Sequence, residues 1–172
     1  QRVMALPVAL TGLVMLPGGI VNALTSAVAG RLYDNHGAKW LTRGGFIIAV
    51  CGIVLLLTAN ANSSLAWVIF GHVTLMIGAP LAMSPAQTYG LNSLSGALNA
   101  DGSAILNTLQ QIVGAVCTAV ATSLIAVGSQ QHAGVAGLTT GTHDGFIFVL
   151  LLAIVALITS FAIQAPAQRQ DA

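Results

Sequence analysis

The stretch Asp101–Val127, DGSAILNTLQQIVGAVCTAVATSLIAV, carries no charged side chain after its first residue. At about 100° per residue on a helix, its polar and small residues share one side: Ser103, Asn107, Gln110, Gln111, Gly114, Ala115, Thr118 and Thr122. The opposite side is aliphatic. No Lys, Arg, Asp or Glu occurs between Asp101 and Asp144, so neither side is marked for exposure to bulk water. The stretch therefore predicts a helix in lipid, with its aliphatic side outward and its amide side turned toward protein or a water-filled cavity.

The composition of the whole chain places this helix in a membrane protein. Of the 172 residues, 56% are hydrophobic and 5% are charged, whereas soluble domains carry roughly 25% charged residues. The formal net charge of +1 leaves no basic surface for nucleic acid. Cys51 and Cys117 lie inside apolar runs, which favours packing over a disulfide. We predict an all-α integral membrane protein and, because it starts at Gln1, expect a piece of a longer chain.

Apolar runs long enough to cross a bilayer recur five times along the chain. The predicted transmembrane helices cover about 5–28, 41–58, 65–83, 102–127 and 146–163. In the first, Gly19, Ala23 and Ala27 recur every four residues and predict a smooth stripe for helix packing. In the third, Gly78 and Pro80 predict a helix kink.

The segments between these runs predict helix caps and one long loop. Ser63 or Ser64 is suited to cap the third helix through its side-chain oxygen. Asp101 and Asp144 are predicted to cap the fourth and fifth helices, where a carboxylate meets the positive end of the helix dipole. The glycines and polar residues of 129–142 predict a flexible external loop.

The basic residues predict how the chain is oriented. In a five-span arrangement, all but Arg2 fall on one side: Arg31, Lys39, Arg43 and Arg169. Short basic loops stay in the cytoplasm. We therefore predict a multi-pass protein of the bacterial cytoplasmic membrane, with the N-terminus of this chain outside and its C-terminus in the cytoplasm.

Two motifs resemble known transporters. One resembles the loop signature of the major facilitator superfamily: Gly30-x-Leu32-x-Asp34-x-x-Gly37-x-Lys39. The other is similar to the penultimate helix of EmrB/QacA-type drug:proton antiporters with fourteen spans: Gly102-Ser103-Ala104-x-Leu106-Asn107-Thr108-x-x-Gln111-x-x-Gly114-Ala115. The resemblance implies that residues 1–172 are a partial carboxy-terminal transporter domain containing its last five helices. Asn35 and Gln110 depart from the family, which often has Arg at both places.

The resemblance implies a cytoplasmic gating loop formed by Gly30, Asp34, Gly37 and Lys39. In the family, this carboxylate near a helix end helps to hold the cytoplasmic side shut. The alternative for Asp34 is a solvated loop acid. The resemblance also implies that the third helix lines a central cavity, that the first and fourth face the other domain, and that the second and fifth are peripheral.

Candidate cavity-lining residues lie on the third and fourth predicted helices: His72, Met76, Asn107, Gln110 and Gln111. The amides could offer neutral hydrogen bonds to a substrate, and interhelical hydrogen bonds of about 0.6 to 2 kcal/mol each are an equal alternative. A lone His near a helix end is more often a satisfied interface residue, and packing explains Met76 equally well.

The function that these features predict is multidrug efflux. The chain would be a fragment of a transporter that exports small amphipathic compounds by alternating access, coupled to proton influx through residues outside it. A stand-alone structural or assembly membrane protein and a carrier for one specific metabolite are the alternatives. An intramembrane enzyme is disfavoured because no spacing of Ser, His and Asp pairs a nucleophile with a base. The expected partners are the bilayer, a small-molecule substrate and the missing amino-terminal half, with no cofactor or metal.

Overall fold

The computed structural model describes residues 7–60, 62–131 and 134–163. Within them the chain forms four long helices, all of them long and apolar enough to cross a membrane. Their bounds are α1 Val8–Leu57, α2 Leu65–Asn92, α3 Asn99–Gln131 and α4 Gly134–Ser160, with a 3-10 turn at Gly96–Leu98 before α3. The all-helical prediction is confirmed. The predicted count of five is not matched, because the first two predicted helices lie in the single element α1.

Helix α1 is broken at one residue. Gly37 has φ 74° and ψ 166°, outside the helical range. This conformation is essentially restricted to glycine and costs other residues on the order of 1–3 kcal/mol. The break divides α1 into an amino-terminal arm, 8–36, and a carboxy-terminal arm, 38–57. The predicted loop from Gly30 to Lys39 is thus shorter than expected, because residues 30–36 and 38–39 belong to the two helical arms and only Gly37 departs from helical geometry.

Both arms of α1 pack against the same part of α2, which shows that the chain reverses at the break. The Asn22 side-chain amide of the first arm lies 3.5 Å from the Met76 carbonyl oxygen. On the second arm, a Cβ atom at Gly52 would lie 2.5 Å from the Leu75 nitrogen. In an unbroken helix, Asn22 and Gly52 would lie about 45 Å apart. The two arms therefore run beside each other along α2.

The carboxy-terminal arm of α1 forms the centre of the described structure. It lies between α2 and α4, and five of the eight buried hydrophobic side chains belong to it: Ala38, Leu41, Ala49, Ile53 and Leu56. At one end of this arm, the Arg43 guanidinium donates to the Phe161 carbonyl at 3.0 Å and stacks over the Phe161 ring. At the other end, His143 Nε2 lies 2.9 Å from the Ala59 carbonyl oxygen. The arm and α4 are therefore antiparallel. The peripheral position implied for the second predicted helix concerns the complete transporter and stays a prediction.

Glycines bring α3 and α4 into backbone contact. Gly137, Gly141 and Gly145 recur every four residues along α4 and are all buried. A Cβ atom at Gly141 would lie 2.7 Å from the Cα of Ile125 on α3. The prediction of a flexible loop over 129–142 is wrong for residues 129–131 and 134–142, which are helical, because the glycines provide the smooth surface that close helix packing requires. His132 of that predicted loop lies outside the described residues.

Two of the predicted helix starts are also corrected. Helix α3 begins at Asn99, so Asp101 lies in its first turn instead of at the cap. Helix α4 begins at Gly134, so Asp144 lies inside it. The Ser64 prediction is confirmed, since its Oγ accepts a hydrogen bond from the Trp67 amide at 3.3 Å. Helix α2 runs continuously through both of its prolines, Pro80 and Pro85.

Replacing Gly37 with Ala tests the break in α1. We expect G37A to destabilise the protein by about 1–3 kcal/mol, because Ala disfavours the observed backbone conformation. The measurement is the thermal unfolding midpoint in detergent. The control is G44A, in the same element, where a Cβ atom would meet nothing within 4 Å. Equal midpoints for G37A and G44A would contradict the assigned break.

Replacing Gly141 with Ala tests the contact between α3 and α4. Its Cβ would lie 2.7 Å from a backbone atom, so we expect overpacking to cost about 1–3 kcal/mol of stability. The matched control is G145A on the same helix, where the nearest atom outside the helix would be 3.9 Å away. The thermal unfolding midpoint of G141A should therefore be lower than that of G145A. If G141A proved as stable as G145A, the packing described above would be wrong.

Candidate functional site

The predicted residues His72 and Met76 face the amino-terminal arm of α1. Both are half-buried on α2. A Cβ atom at Gly18 would collide with the His72 imidazole, which occupies the space that this glycine leaves open. One turn later, the Asn22 amide approaches the Met76 carbonyl at 3.5 Å and its sulfur at 3.7 Å. These four residues form a small polar crossing between the two helices, which we name the His72 crossing.

The neutral polar side of α3 lies open at the surface. Asn107 and Gln111 are exposed, and neither side chain has a hydrogen-bond partner among the described residues. The threonines of α3 bond to their own helix instead: Thr118 donates to the Gly114 carbonyl at 2.7 Å and Thr122 to the Thr118 carbonyl at 2.8 Å. The amides of Asn107 and Gln111 are therefore free to bind another molecule or helix.

A groove separates α3 from α2. Its volume is about 430 Å³. Its walls are formed by Met83, Leu106, Leu109, Gln110, Val113 and Gly114. Three aliphatic residues that were expected to face lipid, Leu106, Leu109 and Val113, instead line this groove, because α3 is rotated so that its aliphatic edge turns toward α2. Gln110 supplies an amide at the groove wall.

The structure keeps the candidate residues of α2 and α3 apart. Among the hydrogen bonds of the described residues, none joins these two helices, and His72 and Met76 face α1 instead of Asn107 and Gln111. The separation follows from the packing, since α3 contacts the rest of the bundle mainly through α4. In the most apolar stretch of α3, 6% of the residues are buried, whereas 39% are buried in that of α1.

The predicted gating residues lie around the break in α1. Gly30 and Asp34 are exposed on the amino-terminal arm, while Gly37 and Lys39 are half-buried. No Cα atom of α1 lies within 8 Å of one in α3, so Asp34 does not approach the start of that helix. The structure thus places the motif at one end of the bundle, beside the reversal of the chain.

Several residues that position these groups were not singled out from the sequence. Gly18 receives His72, whereas the predicted packing stripe, Gly19, Ala23 and Ala27, is exposed. In the sequence, Arg43 serves only to predict which side of the membrane is cytoplasmic, yet its side chain joins α1 to the residues that follow α4. Sequence periodicity indicates a small-residue face but does not decide which of two adjacent glycines meets the neighbouring helix.

Metal-binding groups are sparse in the part of the chain that the structure describes. No group of three or more His, Cys, Asp or Glu side chains there could hold a metal ion. Cys51 is exposed, Cys117 is partly exposed, and both are free thiols. The arrangement offers neutral hydrogen bonds and apolar walls for binding.

Comparison with known proteins relates the chain to transporters. It is 41% identical over 174 residues to the lincomycin resistance protein LmrB of Listeria monocytogenes, covering 95% of this chain and 37% of that protein. It is 40% identical over 162 residues to LmrB of Bacillus subtilis, covering 88% of this chain and 34% of the relative. It is 32% identical over 171 residues to the uncharacterized MFS-type transporter YcnB of Bacillus subtilis, covering 94% and 36%.

These matches cover most of this chain but only part of each relative. The chain spans little more than a third of the length of the curated relatives it matches. No model of a protein family matches it, and no solved structure does. These relatives are membrane transporters and a drug-resistance protein, not enzymes, and the chain is homologous to a portion of each.

Replacing Gly18 with Ala tests the His72 crossing. The added methyl would displace the imidazole, so we expect G18A to lower the thermal midpoint by an amount equivalent to about 1–3 kcal/mol. G19A is the matched control, because a Cβ atom at this adjacent residue would meet nothing within 4 Å. If G19A lowered the thermal midpoint more than G18A does, the arm would pack through the predicted stripe of Gly19, Ala23 and Ala27.

Proposed function

We propose that this chain is the carboxy-terminal part of a multidrug efflux transporter of the major facilitator type. The observation that carries the proposal is the match of nearly the whole chain to a lincomycin resistance protein, together with an open, uncharged polar side on α3. Substrates of this class are small and amphipathic. Neutral amides can bind their polar groups while apolar side chains bind the remainder.

The partner of this chain is the missing amino-terminal part of the transporter. Two helices offer surfaces for it: the open side of α3, with Asn107 and Gln111, and the side of the amino-terminal arm that carries Gly19 and Ala23. Both surfaces are exposed in the described structure, and the resemblance assigns both helices to the boundary with the other domain. Small residues and neutral amides suit a boundary that must separate and close again, because neither buries an unpaired charge.

The break at Gly37 supports five membrane crossings from four helical elements. Each arm of α1 is long enough for a hydrocarbon core of about 30 Å, and both arms pack against the same part of α2. With α2, α3 and α4, this arrangement supplies the last five of the fourteen spans found in EmrB/QacA-type exporters. The N-terminus of the chain then lies outside, and Arg31, Lys39 and Arg43 lie at the cytoplasmic end.

Transport proceeds by rocking of two bundles about a shared midplane site. In this proposal, α3 forms one wall of the passage, with Asn107, Gln110 and Gln111 as its candidate lining. The other two candidates, His72 and Met76, hold α2 against the amino-terminal arm of α1 behind that wall. Asp34 and the residues around Gly37 act as the cytoplasmic gate. A carboxylate that couples transport to proton influx must lie at membrane depth. Asp144 lies near a bundle end instead, because the neighbouring His143 contacts the turn after α1. In this proposal the coupling carboxylate therefore lies outside this chain.

Cysteine accessibility in the full-length transporter tests the water-filled passage. In a background lacking Cys51 and Cys117, a membrane-impermeant thiol reagent should modify N107C and Q111C at least several-fold faster than I105C. Ile105 is the matched control, because it is 59% exposed on the aliphatic side of the same helix. Thiolates form in water but not in hydrocarbon, so the rate reports which side is wet. Equal rates at the three positions would reject the passage.

Drug susceptibility of cells tests the activity itself. Expression of the full-length protein in a susceptible strain should raise the concentration of lincomycin that inhibits growth, and a panel of unrelated amphipathic compounds distinguishes multidrug efflux from a specific carrier. No change for any compound would favour a carrier for one metabolite or a structural membrane protein.

A further inference from the structure

The groove between α2 and α3 continues into a second apolar space. That space has a volume of about 310 Å³ and lies between the carboxy-terminal arm of α1, α2 and α4. Every residue that lines it is apolar, and Met83 lines both it and the groove. The two spaces therefore adjoin at Met83, and we name them together the Met83 cleft. Its wall residues Met83, Leu109, Val113 and Leu152 are exposed, so the cleft is open along one side.

The cleft lies where the helices of the bundle are not packed together. Among the described residues, no Cα atom of α2 lies within 8 Å of one in α4. Helix α3 meets α4 in its carboxyl half, at Ile125 and Gly128, whereas its groove residues, 106–114, lie in the other half. Both arms of α1, by contrast, pack against α2. Within the described structure, the amino-terminal half of α3 has no comparable neighbour.

The side chains of the cleft suit a helix better than a lipid acyl chain. Five of the eleven residues that line the 310 Å³ space are alanines: Ala49, Ala79, Ala82, Ala153 and Ala156. Small residues let helix backbones approach closely and are enriched where membrane helices meet. On the other wall, Gly114 of α3 leaves similar room.

Gln110 also disfavours a lipid as the occupant. This residue is half-buried at the groove wall, and its side-chain amide has no hydrogen-bond partner among the described residues. An acyl chain has no hydrogen-bonding group, and an unsatisfied amide in hydrocarbon is costly. A neighbouring helix can offer a hydroxyl or amide side chain to it. Water is disfavoured as well, because the other lining residues are apolar or glycine.

The length of the relatives indicates where such a helix comes from. The chain spans little more than a third of each relative. The resemblance maps it onto the last five helices of a carboxy-terminal domain, so the helix before them belongs to the chain that precedes residue 1. We propose that the Met83 cleft receives this preceding transmembrane helix, which packs between α2 and α3 and against α4.

This inference rests on the proposed function, because it takes the helix from the amino-terminal part of the transporter. The contact differs from the boundary at Asn107 and Gln111, which separates two bundles. It lies inside one bundle, so it stays closed while the two bundles rock against each other.

Photo-crosslinking in the full-length protein tests the occupant of the cleft. p-Benzoylphenylalanine replaces Val113, which lines the groove, or the adjacent Ile112, which does not. The two positions are matched, because their side chains are 57% and 55% exposed in the described structure. After illumination in membranes, mass spectrometry of proteolytic peptides identifies what each probe has joined. We expect the probe at 113 to join a peptide that precedes residue 1 and the probe at 112 to join lipid.

A smaller probe covers the case in which p-benzoylphenylalanine disturbs folding. Nitroxide labels on V113C and I112C, in a background lacking Cys51 and Cys117, report collisions with oxygen, which dissolves preferentially in hydrocarbon. A helix in the cleft should make the V113C label several-fold less accessible to oxygen than the I112C label. A lipid adduct at 113, equal oxygen access at the two positions, or high access of a water-soluble relaxation agent to V113C would overturn the inference.

Drug susceptibility of cells that express the same protein separates this inference from the proposed function. If the protein raises resistance to lincomycin while the probe at 113 joins lipid, only the inference about the cleft fails. If the probe joins the preceding helix in a protein that exports none of the compounds, the inference stands and the proposed function fails.

Discussion

Contacts between helix backbones at glycine hold this structure together. In a bilayer, lipid chains are as apolar as the aliphatic side chains, so helices gain little from the hydrophobic effect when they associate. Close packing must supply the attraction, and it requires that backbones approach directly. Gly52 and Gly78 provide this contact between α1 and α2, and Gly128 and Gly141 provide it between α3 and α4. Each of these glycines faces backbone of the partner helix, so a side chain there would force the helices apart.

The same contacts explain why the surface of the bundle is uneven. The carboxy-terminal arm of α1 is packed on both sides, whereas α3 is joined to α4 near Ile125 and diverges from α2 along the groove. The polar side of α3 and the small residues of the amino-terminal arm consequently remain open. In a transporter built from two bundles, these are the surfaces that would meet the other bundle, and their uncharged character limits the energetic cost of separation.

The end of the bundle near Gly37 combines a backbone reversal with a charge that bridges two helices. Gly37 turns α1 back on itself, and Arg43 then reaches the carbonyls of Phe161 and Ile163, which directly follow α4. A cation at the carboxyl end of a helix is favourable because the exposed carbonyls carry partial negative charge. The predicted gating motif and the end of α4 are therefore mechanically connected through one short segment of α1.

The sequence by itself determined the class of protein, the approximate places of the apolar helices and the existence of one polar side on α3, because these depend on composition and on a period of 3.6 residues. It also indicated transporter relatives through two motifs. It misassigned residues 134–142 as a loop, since glycines there could serve either a turn or a packed helix. Only the tertiary structure decided that Gly18, not Gly19, receives a neighbour, that Leu106 lines a groove, and that Arg43 donates to the Phe161 carbonyl. These facts depend on the rotation of each helix against its neighbours, which is set by contacts between residues far apart in the chain.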